Sequence, residues 1–310
     1  MNYSENLPRI SAAQLFCLLM LSRISAEIVY PRLGAGYGGE TMLAILVAEL
    51  VRFVLGLPVI IYSFKGAGFY RAIWRKNRFF GWASAVGAAL LLLGAAVRTL
   101  CSVSEFAGRN LLLGAPTYIM IAFTLVFAVY AACMGIEALA RSGVLFLVVA
   151  AAITLLVMLA DIPYMRFDGI MPPQRAEYAQ FFEDVFERIL RGGDYLIFAV
   201  LLPYVKTTKV SSGQTIMFFA LFSALAAVLL CGFYCVTLRE LYGLVEFPFS
   251  AAASLSDIAL FKRLDGVGGA IWTLCAAFRT ALLLWCAWNA ITELLRERKP
   301  VPILKKEAAE

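Results

Sequence analysis

Residues 195–205 read YLIFAVLLPYV, with Pro203 near the end and Lys206 just beyond. The run is as apolar as a membrane span but about half as long, since a hydrocarbon core about 30 Å thick takes roughly 20 residues of helix. It is therefore a re-entrant piece or part of an interrupted helix. Working outward, seven further apolar segments appear, at 10–30, 41–64, 80–100, 118–139, 145–162, 216–238 and 266–295. Six of the eight are long enough to cross a bilayer, and the first and sixth are not. The first is apolar only over 10–21, after which SRISAE (22–27) sets Arg23 and Glu27 at membrane depth. Short or interrupted segments at matching places in two halves point to an inverted-repeat transporter fold. Positions one and six fit two repeats of five helices.

Composition agrees. The 310 residues are 62% hydrophobic and 15% charged, far from the roughly 45–50% apolar share of a soluble domain. The mean hydropathy is +0.82. The expectation is one all-α polytopic membrane domain over 1–310. There is no histidine, which excludes Ser-His-Asp and Cys-His catalysis, H-E-x-x-H zinc sites and imidazole proton relays. The seven cysteines are scattered through apolar runs and read as packing residues, and Cys231 with Cys235 lacks a second ligand pair for zinc. No metal, cofactor, nucleic acid or enzymatic reaction is expected.

The net charge of +6 reads as cytoplasmic lysine and arginine that orient a membrane protein. With the N-terminus inside, the cytoplasmic side carries Arg9, Lys65, Arg71, Arg75, Lys76, Arg78, Arg141, Lys206, Lys209 and the basic tail after Arg296, more than half of all basic residues. The start, MNYSENLPR, lacks the basic n-region of a cleaved signal peptide. GFYRAIWRKN (68–77) mixes aromatic and basic residues as a headgroup belt does. On the outer side, Tyr178, Phe181, Phe182, Val185, Phe186, Ile189 and Leu190 form an i, i+3, i+4, i+7 stripe. It predicts an amphipathic helix over about 176–191, lying on the membrane or capping the bundle.

Charges inside spans cost roughly 2.5–3.5 kcal/mol each and mark function or internal pairing. Three pairs share a helix face by their spacing: Arg23 with Glu27, Glu49 with Arg52, Glu137 with Arg141. Arg141 is expected at the C-terminal end of its helix, where the dipole favours a cation. Arg98 and Arg279 have no partner at helical spacing and need carboxylates or carbonyls from elsewhere, with Glu105, Glu49 and Glu27 as candidates. Trp272, Trp285 and Trp288 read as packing or lipid-facing residues rather than a ligand cage.

Four stretches, in order, resemble the spore germination B-subunit (GerAB-like) family of the amino acid–polyamine–organocation transporter superfamily. VRTLCSVSEFAGRNLLLGAPTYI (97–119) is similar to its third-helix exit. YAACMGIEALARSG (130–143) resembles its Gly-x-Glu signature with an arginine four residues on. LIFAVLLPYVK (196–206) resembles its short sixth helix, and FKRLDGVGGAIWTLCAAFRTALLL (261–284) its approach to the eighth helix, with Arg279 at the usual basic position. The order is kept over about 10–295. Two departures stand out: the family has ten helices where this chain shows about eight, and its first-helix break contains glycine where this chain has Ser22-Arg23-Ile24-Ser25.

The resemblance implies a leucine-transporter-like inverted-repeat bundle, first and sixth helices interrupted, without the last two of the usual ten. It implies an integral subunit of a nutrient-germinant receptor, in the inner spore membrane or cell membrane, binding a small molecule, typically an amino acid, at the membrane midplane. Partners would be the receptor's A subunit and its C-subunit lipoprotein. Ser22, Arg23, Ser25, Phe198 and Leu202 would line the ligand site. Glu27, Glu49, Arg52, Arg98, Glu105, Glu137, Arg141 and Arg279 would form a charge network or gate. The rival readings are a proton-coupled amino acid permease, using Glu27 or Glu137, and a membrane assembly scaffold without ligand.

Overall fold

The computed structural model describes residues 10–31, 38–64, 73, 77–112, 116–167, 178–206, 209–256 and 264–297. Arg9, Lys65, Arg71, Arg75, Lys76 and the basic residues from Arg298 onward lie outside them, as does nearly all of the stretch 68–77. Within the described residues the chain is helical: α1 Ala12–Val29, α2 Gly38–Phe64, α3 Arg78–Asn110, α4 Thr117–Cys133, α5 Ile136–Ala160, α6 Tyr178–Arg191, α7 Asp194–Leu201, α8 Lys209–Leu238, α9 Pro248–Leu255 and α10 Asp265–Glu297. Six of these are long and apolar enough to cross a membrane, and α4 is a shorter apolar helix. Large side chains face outward on several of them, including Leu55, Leu90, Phe123 and Val126. Helices apolar on both faces are what a lipid surround requires. This is an all-α polytopic membrane protein.

The elements start and stop for local reasons. Ser11 caps α1: its hydroxyl accepts from the Gln14 N–H at 3.2 Å, and the Gln14 side chain accepts from the Ser11 N–H at 2.9 Å. Asn77 caps α3 by accepting from the Phe79 N–H at 3.0 Å. Pro116 precedes α4. Between α4 and α5 the chain passes through Gly135 at φ 87°, a conformation glycine adopts without a Cβ penalty. This turn cuts the expected 118–139 segment short. Glu137 and Arg141 therefore belong to the first turns of α5 and not to the end of a helix. The dipole favours Glu137 there, and the role expected of Arg141 at a C-terminus does not apply.

The expected interruption of the first helix is absent. α1 runs unbroken from Ala12 to Val29 through Ser22-Arg23-Ile24-Ser25. That stretch has no glycine or proline to open the backbone. The Ser25 hydroxyl folds back onto the Ser22 carbonyl at 3.0 Å, and the charge of Arg23 is met by side chains. The interruption lies in the sixth segment, but not only where Pro203 suggested. Gly192 and Gly193 separate α6 from α7, and a 3₁₀ turn at Leu202–Tyr204 follows α7. The amphipathic helix is thus joined to the short span by two residues. α6 packs on α2, with Val185 against Ala44 and Ala48 and Phe181 and Ile189 at the edge.

α1 and α10 are the inner elements. α10 packs on α3, α4, α5 and α1, while α1 also meets α5, α7 and α8. α1 and α7 run past each other in opposite directions. Ser22 meets Asp194 at one level, and at the far end the Ile10 N–H donates to the Tyr204 carbonyl at 2.9 Å while the Lys206 N–H donates to the Ile10 carbonyl at 2.8 Å. The two suspect segments do meet, therefore, as a continuous helix against a broken one.

Candidate functional site

The break between α6 and α7 needs the glycine at 192. A Cβ on Gly192 would collide with Cδ of Arg52, and one on Gly56 would sit 2.5 Å from the Tyr195 ring. α2 is therefore pressed against the break by backbone that carries no side chain. Opposite, α1 presents Ser22 and Arg23, and α10 presents Arg279. All three are about 99% or more buried.

Arg279 ties three elements together. Its Nη1 donates to the Ser22 carbonyl and, at 3.1 Å, to the Ser22 hydroxyl. Its Nη2 donates to the Arg191 carbonyl at 3.0 Å, the last carbonyl before the glycines. Asp194 Oδ1 lies 3.7 Å from Nη1 and accepts from the Ser22 hydroxyl at 2.8 Å. Asp194 also opens α7, where a carboxylate suits the positive end of the helix. So one buried guanidinium holds the unbroken helix, the last turn of α6 and the first turn of α7.

A second group adjoins it. Arg23 Nη2 lies 2.5 Å from Glu27 Oε1 and donates to Glu49 Oε1 at 2.7 Å, and its Nε donates to the same oxygen at 3.2 Å. Arg52 Nη1 is 3.2 Å from that oxygen too. Arg188 lies 3.5 Å from the other oxygen of Glu27, while its Nε donates to Asp184 at 3.0 Å. Tyr30 packs under three guanidiniums, those of Arg98, Arg191 and Arg279, at 5.6, 5.6 and 5.8 Å from its ring centre. Its hydroxyl pairs with Thr99 at 2.8 Å. Buried charges persist only where each is met by others or by hydrogen bonds, because desolvation otherwise costs several kcal/mol per ion.

Beside Glu27 and Tyr30 lies a cavity of about 30 Å³, also bordered by Arg188, Arg191, Tyr234 and Tyr242. It lies roughly one to two helical turns further along α1 than Ser22. Of the residues read from the sequence as a ligand site, Ser22 and Arg23 belong to the charge centre. Ser25 closes a bond within α1. Phe198 is fully buried apolar packing, and Leu202 packs against the core from the 3₁₀ turn. Neither borders the cavity. Glu27, Glu49, Arg52 and Arg279 join the network. Arg98 is paired with Glu187 of α6, not with Glu105, Glu49 or Glu27, and Glu105 is exposed. Glu137 and Arg141 stand apart at 3.9 Å on the outer surface.

Sequence reasoning missed Asp184, Arg188 and Arg191, which lie on the amphipathic outer helix, and Asp194, which stands just before the sixth segment. One signal was present: RGGD (191–194) places two glycines and an acid directly before the short apolar run. Among the described residues no cluster of three cysteine or carboxylate side chains is arranged to hold a metal.

A polytopic helical membrane protein with an ion network buried at a helix break is the class these observations define. A family model described as spore germination protein matches residues 9–304, and the chain belongs to that family. No curated protein matches.

Proposed function

We propose that this chain is the membrane subunit of a spore nutrient-germinant receptor and senses a small zwitterion, an amino acid being the favoured class. The carrying observation is the junction of Arg279, Ser22 and Asp194 at the Gly192–Gly193 break. Ionisable groups paired at a helix break inside a membrane are functional by default, because their cost is otherwise unrecovered. An amino group suits Asp194, and a carboxylate suits Arg279. Both now contact Ser22 or each other, so a ligand would compete with contacts that lock α1, α6 and α7 together. Ligand action then follows from differential affinity for the locked and the opened arrangement, with the glycines as hinge. In this reading the protein sits in the inner spore membrane, N-terminus cytoplasmic, and works with an A subunit and a C-subunit lipoprotein.

The test is Asp194→Asn in spores, with germination followed across an amino acid panel and the membrane level checked by immunoblot. A lost response at unchanged protein level supports the assignment, and a normal response overturns it. A scaffold role is the second reading, favoured by one observation: the groups assigned to the ligand already bond to one another, Asp194 to Ser22 and Arg279 to Ser22 and the Arg191 carbonyl. In that case Asp194→Asn would alter co-purification of the A subunit and leave ligand-induced thermal shifts absent in both proteins. A proton-coupled permease would instead show gradient-dependent uptake in proteoliposomes.

A further inference from the structure

Charges in the buried centre do not balance pairwise. Among the described residues the guanidiniums of Arg23, Arg52, Arg188, Arg191 and Arg279 share this centre with the carboxylates of Glu27, Glu49, Asp184 and Asp194, five against four, with Arg98 and Glu187 a neutral pair beside them. Four of the five have a carboxylate within ion-pair distance. Arg191 is the fifth. It is only 5% exposed, its Nη2 donates to the Pro31 carbonyl at 2.9 Å, and its plane lies over the Tyr30 ring. Among the described residues its Nε–H has no acceptor, and the buried hydroxyl of Tyr234 has no partner either. Both residues border the 30 Å³ cavity. A buried cation with no carboxylate in ion-pair contact is costly to a fold, and an unmet buried donor adds to that cost.

The geometry points to a binding site for a small monovalent anion, of chloride's size and charge, between Arg191 and Tyr234. Arg191 Nε–H and the Tyr234 hydroxyl are its donors, and the ion brings the centre to neutrality. Size separates this occupant from the others. The cavity takes about two water-sized bodies, which admits a halide and excludes an amino acid. Water alone would satisfy the donors and leave the charge. A doubly charged oxyanion would overshoot it and crowd Glu27, whose oxygens are already turned to Arg23 and Arg188. The site goes beyond the germinant reading and does not depend on it, since it lies off the Ser22–Asp194 junction. Its consequence is that the association of α6 with α1 and α8 becomes sensitive to anion concentration.

The experiment is thermal unfolding of the full chain in nanodiscs with no amino acid present. Chloride replaces gluconate from zero to roughly 0.3 M at constant ionic strength, so that screening of charges is held fixed. A saturable rise in the melting temperature with chloride, reproduced by bromide, is expected. Tyr234→Phe, which keeps the ring packing, should weaken the half-saturating concentration about tenfold, as expected for one hydrogen bond to an ion, and Arg191→Gln should abolish the rise. Equal melting in chloride and gluconate overturns the proposal, as does an unchanged titration in Tyr234→Phe should Arg191→Gln not fold. Acetate acting as strongly as chloride also overturns it, by making the cavity a carboxylate site. A failed germination response in Asp194→Asn touches none of these outcomes.

Discussion

Two charge pairs in this chain have the same spacing and opposite fates. Arg23 and Glu27, four apart on α1, are 2% and 11% exposed in their side chains and lie 2.5 Å apart. Glu137 and Arg141, four apart on α5, are 47% and 77% exposed and lie 3.9 Å apart. Spacing puts both members of each pair on one helix face, but the environment is supplied by other elements. Around Arg23 these are Glu49 of α2 and, through Glu27, Arg188 of α6. Around Arg141 the packing is open, and both members of the pair stay largely exposed. The first pair is one link in a network and the second is a local contact, so their removal should differ by an order of magnitude.

The largest expected effect is Arg23→Ala. It leaves Glu27 and Glu49 without their nearest cation in a buried site, which costs about 3–5 kcal/mol. An unfolding titration in mixed micelles measures it, with Arg23→Lys as the conservative partner. A loss below about 1 kcal/mol would mean that water reaches the centre and screens it as at a surface. Next in size is Gly192→Ala. The added methyl meets Arg52, and overpacking of this kind costs about 1–3 kcal/mol. Gly94→Ala is its control, because a Cβ at Gly94 in α3 meets nothing within 4 Å. That change should be neutral or stabilise by about 0.5–1 kcal/mol, the helical preference of alanine over glycine.

What could be read from the sequence follows the same division. Lengths and hydropathy pointed to an all-α polytopic membrane protein, because membrane insertion depends on the segment itself, but they did not show the turn at Gly135 that divides α4 from α5. The charge pairs were legible for the same reason. The partners of Arg98 and Arg279 were not, since both are far away in the chain: Glu187 lies on the helix expected to lie on the membrane or cap the bundle, and Asp194 stands just before the sixth segment. Treating the stripe over 178–190 as a surface helix hid its buried arginines. An amphipathic stripe reports one apolar face, but it does not say whether the polar face meets water or other charges. The break in α1 was inferred from an arginine at membrane depth, whereas a helix remains intact when the arginine is paired and no residue opens the backbone.

A smaller effect is expected at Asp161, the residue that follows α5. It is fully buried, accepts from the Ser256 hydroxyl at 2.8 Å and, among the described residues, has a second oxygen without a partner. Burial pushes its carboxyl up to about 6, although the Ser256 hydrogen bond pulls the other way. The folded chain therefore binds a proton that the unfolded chain releases between about pH 6 and pH 4, and stability rises as pH falls through that window. Asp161→Asn should remove the dependence and gain about 1–3 kcal/mol at about pH 8, with little difference at about pH 4. This separates a lone buried carboxyl from those of the network, which sit against arginines.

The smallest effect is the one that completes the comparison. Glu137 lies in the first turn of α5, where the dipole favours an acid, and its contact with Arg141 is long and exposed. Glu137→Gln and Arg141→Gln should each change stability by less than about 0.5 kcal/mol, and a double-mutant cycle should return a coupling of about 0.3 kcal/mol that fades with salt. The same cycle on Arg23 and Glu27 should return several times that value and survive salt, because a buried pair is screened much less. Equal couplings would show that spacing alone sets the strength of a pair in this protein, and that the packing of α2 and α6 around α1 adds nothing to it.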